Sequence, residues 1–353
     1  MTQDAPLRFA LQQLALGASL SAAASAAAFA VLMRGEATPV QTAALLMGLR
    51  AKGETADEIA GAATALRCAM VRLEVGEPEM LVDTCGTGGG RVGTLNLSTA
   101  AALVAAGAGV PVAKHGNRSY TSRSGSADVL EALGVSIDLP AEAAAEVLER
   151  TGIVFLFAPT YHPAMRHVGP VRRELGTGTI MNLVGPLANP AGVRRQVVGV
   201  SDGERAPLVA AALARLDAIH ALVLHAVVGM DEVSPRGRTD VWEVREGRVD
   251  QWQIDPVALG LSCDDLSGLA GGEPAENAAR IERLLQGGGE PVERCAVLLN
   301  AACALYVSGR GWSLEEAAER SAQALGDGTA MEALHRLRAT APHRGSGTLN
   351  TYG

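Results

Sequence analysis

The chain lacks an excess of positive charge, a paired cysteine motif and an internal repeat. Its 353 residues include 30 Lys and Arg against 38 Asp and Glu, which gives a net charge of −8 at pH 7. Because nucleic-acid-binding surfaces are built from clustered Lys and Arg, this balance argues against a nucleic-acid partner. The five cysteines form no Cys-x-x-Cys pair, so neither a disulfide framework nor a zinc site is expected, and the reducing cytoplasm is the expected compartment.

Residues 9–33 lack charge altogether, which raises the question of a signal peptide or a membrane span. Alanine and serine dominate this segment, Gln12 and Gln13 interrupt it, and Arg8 is the one basic residue before it. We therefore expect no membrane partner. The segment is interpreted as an alanine-rich helix whose small side chains let it pack closely against other helices or across a subunit interface.

Helix start signals are dense in the first part of the chain. Thr38 is a candidate N-cap with Pro39 at the first helical position, and Thr55 with Glu58 forms a capping box. These signals predict a small α-helical domain over residues 1–72.

From residue 73 onward, short apolar runs alternate with helical segments. The strand-like runs are MLVDTC, VPVAKHG, GIVFLFAP, RQVVGV and HALVLHAV, and VWEVREGRVDQWQI is typical of a hairpin that turns at Glu246 and Gly247. This alternation predicts a large α/β domain over residues 73–353, with a central mostly parallel sheet covered by helices. Functional residues are expected in the loops at the strand ends.

The first candidate site is the stretch VDTCGTGGGRVGTLNLSTAAALV, in which a glycine-rich loop connects a strand to a helix. Glycines let backbone N–H groups turn toward one point, and a helix N-terminus adds its own N–H groups and positive dipole end, so the arrangement suits phosphate. Ser98, followed by Thr99, is the expected N-cap. No Gly-Lys-Ser/Thr follows, which excludes a Walker A motif, and a glycine-rich surface turn is the alternative.

A second polar cluster lies in VAKHGNRSYTSRSGSADVLEALGV, directly after the next strand. Lys114 can act as a point charge on phosphate, Asn117 offers both a donor and an acceptor, and Ser119, Ser122 and Ser126 can donate to phosphate oxygens. A solvated polar loop is the alternative. The glycine-rich loop one helix earlier favours a shared site for phosphate and ribose.

Arginines and histidines follow the strand-like run GIVFLFAP. Arg166, Arg172 and Arg173 accompany His162 and His167, and the planar guanidinium of arginine is suited to gripping a carboxylate with two donors. A basic exposed helix face is the alternative, and for Arg173 it is the preferred interpretation. The run NLVGPLANP is interpreted as a rigid proline-containing connection.

Two acidic residues, Asp231 and Glu232, lie side by side just after the apolar run ALVLHAVV. Adjacent carboxylates usually decorate a surface turn. Diphosphate substrates, however, are commonly handled as magnesium complexes in which one or two protein carboxylates complete the metal shell. The position of the pair at a strand end therefore favours a magnesium site.

Taken together, these motifs resemble one enzyme family. GTGG, T-x-N-x-ST, AKHGNR, SGSADVLEALG, FLFAP-x-YHPAM, PVRRELG, NL-x-GPL-x-NP and DEVS occur in the order found in anthranilate phosphoribosyltransferases. The resemblance implies a homodimer whose small helical domain is completed by helices around residues 165–190 and takes part in dimerisation. It also implies transfer of phosphoribose from phosphoribosyl diphosphate (PRPP) to the amine of anthranilate, with Mg²⁺, expected as two ions, as the cofactor.

The resemblance also implies a set of site residues, motif by motif. Those expected to bind PRPP are Gly86, Thr87, Gly88, Gly89, Gly90, Thr94, Asn96, Leu97, Ser98, Thr99, Lys114, His115, Gly116, Asn117, Arg118, Ser119, Tyr120, Thr121, Ser122 and Ser126. Those expected near anthranilate are Gly86, His115, Asn117, His162 and Arg172, and those expected to bind magnesium are Ser98, Asp231 and Glu232. Lys114, Asn117 and Arg172 are the expected catalytic residues.

The chain departs from the family pattern at Gly90, where many members have an aspartate after GTGG, and at His225-Ala226, where the usual pair is His-Gly. No Ser-His-Asp or Cys-His arrangement is evident, so stabilisation of the leaving diphosphate is expected to dominate catalysis. Two alternatives stay open. A nucleoside phosphorylase shares this architecture, and a non-catalytic nucleic-acid-binding homologue should show a basic stripe and loss of the acidic pair.

Overall fold

The computed structural model describes residues 4–90, 93–119 and 123–343. Its N-terminal part is built from the helices α1 (Ala5–Ala15), α2 (Ala22–Met33), α3 (Pro39–Lys52) and α4 (Ala56–Ala69). The predicted N-cap Thr38 of α3 and the predicted capping box Thr55–Glu58 of α4 are both present, and Gln41 completes a further capping box at the start of α3. Within the described ranges, no helix has the length and apolar character that a membrane crossing would need.

The charge-free segment over residues 9–33 forms the second part of α1 and all of α2, so its alanine-rich half is a helix packed on other helices as expected, although the segment is not one continuous helix. The first helix ends before Gly17, whose φ of +70° is left-handed, and Ser21 then caps α2 by accepting the N–H of Ala24 at 3.2 Å. A residue in the left-handed region ends a right-handed helix. The break lets α1 and α2 pack against each other.

Helices α2 and α4 approach each other very closely. A Cβ atom at Gly61 of α4 would lie 2.3 Å from the backbone oxygen of Ala22 and 2.7 Å from Ser25 Cβ. Ser25 Oγ donates to the backbone oxygen of Glu58 at 2.8 Å, which joins the same two helices. The small side chains of this region therefore permit an approach that larger ones would prevent.

The rest of the chain alternates strands with helices. The strands are β1 (Val82–Gly86), β2 (Val112–Gly116), β3 (Ile153–Phe157), β4 (Arg195–Gly199), β5 (His220–Ala226), β6 (Thr239–Arg245) and β7 (Arg248–Ile254). The helices are α5 (Leu97–Gly107), α6 (Ser126–Ala132), α7 (Ala141–Thr151), α8 (Ala158–Tyr161), α9 (Gly169–Leu175), α10 (Ile180–Val184), α11 (Ala206–Arg215), α12 (Pro274–Leu285), α13 (Pro291–Val307), α14 (Leu314–Gly326) and α15 (Thr329–Thr340). Short 3-10 turns cover Pro78–Met80, Pro163–His167, Gly185–Leu187 and Ser267–Leu269.

These strands form one sheet in the order β3-β2-β1-β4-β5-β6-β7. The first five strands of that order are mutually parallel, β6 is antiparallel to β5, and β7 is antiparallel to β6, so the predicted mostly parallel sheet is confirmed. The hairpin turns at Glu246 and Gly247, whose φ values of +51° and +76° suit a two-residue turn. Because parallel strands carry their functional loops at the carboxyl ends, the loops after β1, β2, β4 and β5 meet at one edge.

Two buried apolar clusters cover the two faces of the sheet. Val197 of β4 and Leu222 of β5 belong to the cluster that also contains α5, α13 and α15. Their neighbours Val198 and Val223 face the other cluster, which runs without a break from α1–α4 through α10 to α11. The domain limit at residue 72 and the assignment of helices near 165–190 to the helical domain stay predictions.

Candidate active site

The glycine-rich loop begins where β1 ends and lies against the ends of β4 and β5. Thr87 donates its backbone N–H to Gly199 O at 2.9 Å. Gly88 and Gly89 have φ values of +64° and +82°, which residues with side chains rarely adopt. A Cβ atom at Gly86 would lie 3.4 Å from Asp231 Oδ2, and one at Gly90 would lie 2.8 Å from Asp231 Oδ1. The fold thus brings two of the predicted clusters, the glycine-rich loop and the acidic pair, into contact.

Helix α5 begins at Leu97 with Asn96 as its N-cap, so the expected cap at Ser98 is wrong. The hydroxyl of Ser98 instead accepts a hydrogen bond from Lys114 Nζ at 3.1 Å, which draws it toward β2. Leu97 is fully buried, backbone included, so the structure does not present this expected PRPP-binding residue to a ligand. The hydroxyl of Thr99 is also buried and has no hydrogen-bond partner in the described part of the chain.

Lys114 provides a buried positive charge at the end of β2. Its side chain is 3% exposed, and Nζ donates to Ser98 Oγ at 3.1 Å, to Thr84 Oγ1 at 3.3 Å and to Thr84 O. Burial lowers the pKa of Lys114, while the negative charge of Asp83 on β1 opposes that shift. The ammonium group is therefore held between β1 and α5 by oxygen acceptors, beside the loop that suits phosphate.

The acidic pair lies in an environment unlike a solvated surface turn. Asp231 and Glu232 keep partial exposure, yet desolvation by the surrounding protein raises the pKa of both carboxyls, and the charge of Asp231 raises that of Glu232 further. Thr94 Oγ1 lies 3.2 Å and 3.1 Å from the two carboxylate oxygens of Glu232 and donates to them. Two adjacent carboxyls with raised pKa values favour a cation between or beside them.

A cavity of about 20 Å³ lies beside the acidic pair, and its lining includes Ser98, Asp231 and Glu232. This volume accommodates about one particle the size of water. Two carboxylates and a hydroxyl are hard oxygen donors, which Mg²⁺ prefers. In the described ranges no cluster of three or more His, Cys, Asp or Glu could hold a metal by itself. The residues present therefore fit a magnesium ion whose other ligands come from a phosphate and water.

His115 at the end of β2 and His162 after α8 form a buried pair. Their Nε2 atoms lie 3.2 Å apart, and their ring centroids are 5.0 Å apart. Burial lowers the pKa of His115 to about 3 and that of His162 to about 4, and the neighbouring ring adds to the shift of His115. Both rings are therefore neutral at neutral pH, with one donating to the other.

The carboxylate of Asp128 joins the two ends of the loop after β2 through hydrogen bonds. One oxygen of Asp128 accepts the N–H groups of Gly125 at 2.8 Å and Ser119 at 3.3 Å, and the other accepts from Arg118 at 2.7 Å. Glu131 also pairs with Arg118, at 2.6 Å. These two hydrogen-bonded carboxylates raise the pKa of Arg118, whose side chain is 47% exposed.

The two residues expected to contact anthranilate directly lie on different elements. Arg172 of α9 is half-buried, and its Nη2 donates to Asn182 Oδ1 at 3.2 Å, whereas Arg173 is exposed, as expected. Asn117 lies in the loop after β2, where its Oδ1 accepts the backbone N–H of Arg118 at 2.7 Å.

Other expected site residues lie at the borders of the same loop. Gly116 is the last residue of β2, and Ser126 is the first residue of α6. Tyr120, Thr121 and Ser122, which the resemblance assigns to PRPP, lie outside the described residues.

Three buried asparagines support the site, and the sequence analysis missed them. Asn189 donates to Asp83 Oδ2 at 2.8 Å, and Asn300 both donates to Val233 O and accepts its N–H at 3.0 Å. Asn277 on α12 donates to the N-cap residue of α5 at 3.0 Å. An asparagine inside an apolar helical run, as in VLLNAACAL around Asn300, is a signal that could have indicated a buried polar contact.

Two family models cover most of the chain. The model of the glycosyl transferase family, helical bundle domain, matches residues 9–70, and that of the glycosyl transferase family, a/b domain, matches residues 78–331. Both confirm the expected division into a small helical and a larger α/β part. The anthranilate phosphoribosyltransferase of Rubrobacter xylanophilus is 48% identical over 331 residues, which cover 94% of this chain and 96% of the relative. That of Thermomicrobium roseum is 47% identical, with coverages of 93% and 95%.

Solved structures give the same result. The anthranilate phosphoribosyltransferase of Thermus thermophilus is 44% identical with a TM-score of 0.88, over 94% of this chain and 98% of that one. The Saccharomyces cerevisiae enzyme in complex with PRPP and Mg is 28% identical with a TM-score of 0.86, over 96% and 98%. Its complex with 4-fluoroanthranilate is 27% identical with a TM-score of 0.84, at the same coverages. With these similarities extending over nearly its whole length, the chain belongs to the anthranilate phosphoribosyltransferase family of glycosyl transferases.

Proposed function

We propose that the chain transfers the phosphoribosyl group of PRPP to the amine of anthranilate, giving N-(5-phosphoribosyl)anthranilate and diphosphate, the second step of tryptophan biosynthesis from chorismate. One observation carries the proposal: the glycine-rich loop, Lys114 and the Asp231–Glu232 pair lie together at one edge of the sheet. The names of relatives up to 48% identical support it, as does the yeast relative solved with PRPP and Mg.

PRPP would bind at the carboxyl edge of the sheet. The backbone N–H groups of the glycine-rich loop and the N-terminus of α5 would bind phosphate oxygens, and Lys114 would place its charge beside them. Asp231, Glu232 and Ser98 would hold the magnesium, for which we propose two ions. When bound, magnesium supplies positive charge that stabilises the leaving diphosphate.

Anthranilate would bind between α9 and the loop after β2. Arg172 would bind its carboxylate, and Asn117 and Gly86 would orient the ring so that the amine faces C1 of the ribose. The amine nitrogen forms a bond to C1 while the bond from C1 to the diphosphate oxygen breaks, and the nitrogen then loses a proton to water. His115 and His162, with pKa values of about 3 and 4, are poor acceptors for that proton, so we assign them to positioning the ring.

The proposed reaction is tested by following the fluorescence of anthranilate in the presence of PRPP and Mg²⁺. Consumption of anthranilate should lower the signal, and omission of PRPP should abolish the change. A nucleoside phosphorylase would instead turn over phosphate with a nucleoside. Turnover of that pair with a constant anthranilate signal would contradict the proposal.

Gly90→Asp, which restores the aspartate common in the family, should change the handling of PRPP. A Cβ atom at Gly90 would lie 2.8 Å from Asp231 Oδ1, so a side chain there has to displace that carboxylate. We expect KM for PRPP to rise by roughly threefold to tenfold, and the added charge to change the magnesium concentration at half-maximal activity.

Gly90→Ala is the matched control, because it introduces the same Cβ contact without a charge. It should raise KM for PRPP and leave the magnesium dependence close to that of wild type. If PRPP and magnesium titrations of both variants superimpose on wild type, the departure at Gly90 has no functional effect.

We also propose that residues 1–72, with the helices near 165–190, form a domain through which two copies of the chain dimerise. Phe9 and Leu16 of the α1 region are 50% and 80% exposed, and Val40 on the adjoining α3 is 78% exposed. Large apolar side chains exposed on neighbouring helices are typical of an association surface.

Charged substitutions on this surface test the dimer. Phe9→Glu and Val40→Glu should convert a dimer into a monomer in light scattering or sedimentation, because a carboxylate buried at an apolar interface is unpaired. Val257→Glu is the control, since Val257 is 69% exposed in the α/β part. A wild-type monomer, or equal behaviour of all three variants, would contradict this assignment.

We propose a cytoplasmic location for the enzyme. All five cysteine thiols are free, and the chain is acidic. Free thiols suit a reducing compartment.

A further inference from the structure

Asn277 of α12 is a buried amide whose orientation is set by its two neighbours. The residue is 1% exposed. Its Oδ1 accepts the backbone N–H of Gly272 at 2.8 Å, and its Nδ2 donates to Asn96 Oδ1 at 3.0 Å. Because a backbone N–H can only donate, the oxygen of Asn277 must face Gly272 and the nitrogen must face Asn96.

Asn96 is in turn held by the loop after β2. Its Nδ2 donates to Ser124 O at 3.0 Å, and its Oδ1 accepts from Ser124 Oγ at 3.3 Å as well as from Asn277. The nitrogen of an amide carries two protons, and in the described part of the chain no contact uses the second one. The network therefore presents one N–H of Asn96 to a ligand in a defined direction.

The loop that precedes α12 also contacts the end of the glycine-rich loop. Leu95 donates its N–H to Leu269 O at 2.8 Å, and Gly271 donates to Gly93 O at 3.1 Å. A Cβ atom at Gly271 would lie 2.5 Å from Thr94 O, so this approach requires glycine. The loop that precedes α12 is thus locked to the loop that precedes α5, and Asn277 joins both.

We propose that Asn277 is a positioning residue for PRPP binding that acts by fixing the amide of Asn96. This inference rests on the proposed function. Its physical basis is the conformational entropy of the Asn96 amide. An amide that is already held by hydrogen bonds loses little entropy when a ligand binds, whereas a free amide must first be ordered. Asn277 does not contact PRPP, because its side chain is buried.

Asn277→Asp is the sharpest test, because the side chain keeps its shape and still accepts from Gly272. In its ionised form the second oxygen meets Asn96 Oδ1, an acceptor, so the hydrogen bond to Asn96 is lost at pH values where the carboxyl is ionised. We expect the Kd for PRPP with Mg²⁺, measured by calorimetry, and KM for PRPP to rise at least about tenfold. We expect kcat and KM for anthranilate to change by less than about twofold, because neither depends on the Asn96 contact.

A double-mutant cycle then distinguishes positioning from a general loss of structure. In an Asn96→Ala background, Asn277→Asp should leave the Kd for PRPP within about twofold, because the group through which Asn277 acts is gone. Asn277→Ala carries the same test if the aspartate variant does not fold. Ile281→Val, at a fully buried position of the same helix, is the control that lowers the melting temperature without changing the Kd.

The inference is overturned by an unchanged Kd for PRPP in folded Asn277→Asp or Asn277→Ala, or by an equal rise in both backgrounds. Absence of wild-type turnover with anthranilate would contradict the proposed function instead. If the wild type binds PRPP but does not turn over anthranilate, the calorimetric Kd for PRPP still tests the inference about Asn277. A wild type that binds no PRPP overturns both the inference and the proposed function.

Discussion

Replacing Asp231 by asparagine together with Glu232 by glutamine raises the magnesium concentration needed for half-maximal activity, or abolishes turnover, while the fold is retained. The two carboxyls have pKa values raised by burial and face the same small cavity as Ser98. Amides cannot replace the charge that a divalent cation requires. We expect kcat/KM for PRPP to fall by about a hundredfold or more.

The melting temperature separates this loss from unfolding. In the ligand-free chain burial raises the pKa of both carboxyls, so ionising them costs more free energy in the folded than in the unfolded state, and the neutral variant should melt at an equal or higher temperature. The exposed pair Asp264 and Asp265 allows a matched control, in which Asp264→Asn with Asp265→Asn makes the same change of charge away from the site. A magnesium titration identical to wild type would remove Asp231 and Glu232 from the metal site.

Replacing Arg172 by alanine lowers kcat/KM for anthranilate by roughly tenfold to a hundredfold or more, with little change in KM for PRPP. A planar carboxylate is bound by the two parallel donors of a guanidinium, and a charge-assisted hydrogen bond contributes about 1.5 to 3 kcal/mol. Arg172 is half-buried on α9 and already makes a hydrogen bond to Asn182, which limits the freedom of its side chain.

Arg173→Ala is the matched control, because Arg173 is the next residue on the same helix and is exposed. Arg172→Lys should restore activity only in part, since an ammonium group cannot reproduce two parallel donors. Steady-state titration of both substrates measures these effects. If Arg172→Ala weakens PRPP binding and leaves anthranilate unaffected, the residue belongs to the phosphate site and the assignment is wrong.

Local features of the fold were predictable because their hydrogen bonds join residues close in sequence. The N-cap at Thr38 and the capping box Thr55–Glu58 join residues three positions apart, and the hairpin turn needs only Glu246 and Gly247. The alternation of apolar runs with helices likewise predicted the mostly parallel sheet.

Where distant contacts compete with local signals, the predictions failed or were missing. Serine is a residue type typical of N-caps, but the hydroxyl of Ser98 accepts a hydrogen bond from Lys114 of the next strand. Asn277 lies 181 residues from Asn96, and Asn300 lies 67 residues from Val233, so no short motif indicates either contact.

The sequence by itself determined which groups are available for chemistry: a loop of glycines, a lysine, an adjacent acidic pair and an arginine suited to a carboxylate. The tertiary structure alone decided their arrangement, because the strand order places β1 between β2 and β4 and so brings the loops after β1, β2 and β5 to one edge. It also decided their charge states. The pKa values of Lys114, His115 and Glu232 are set by burial, and burial depends on which distant segments pack around each group.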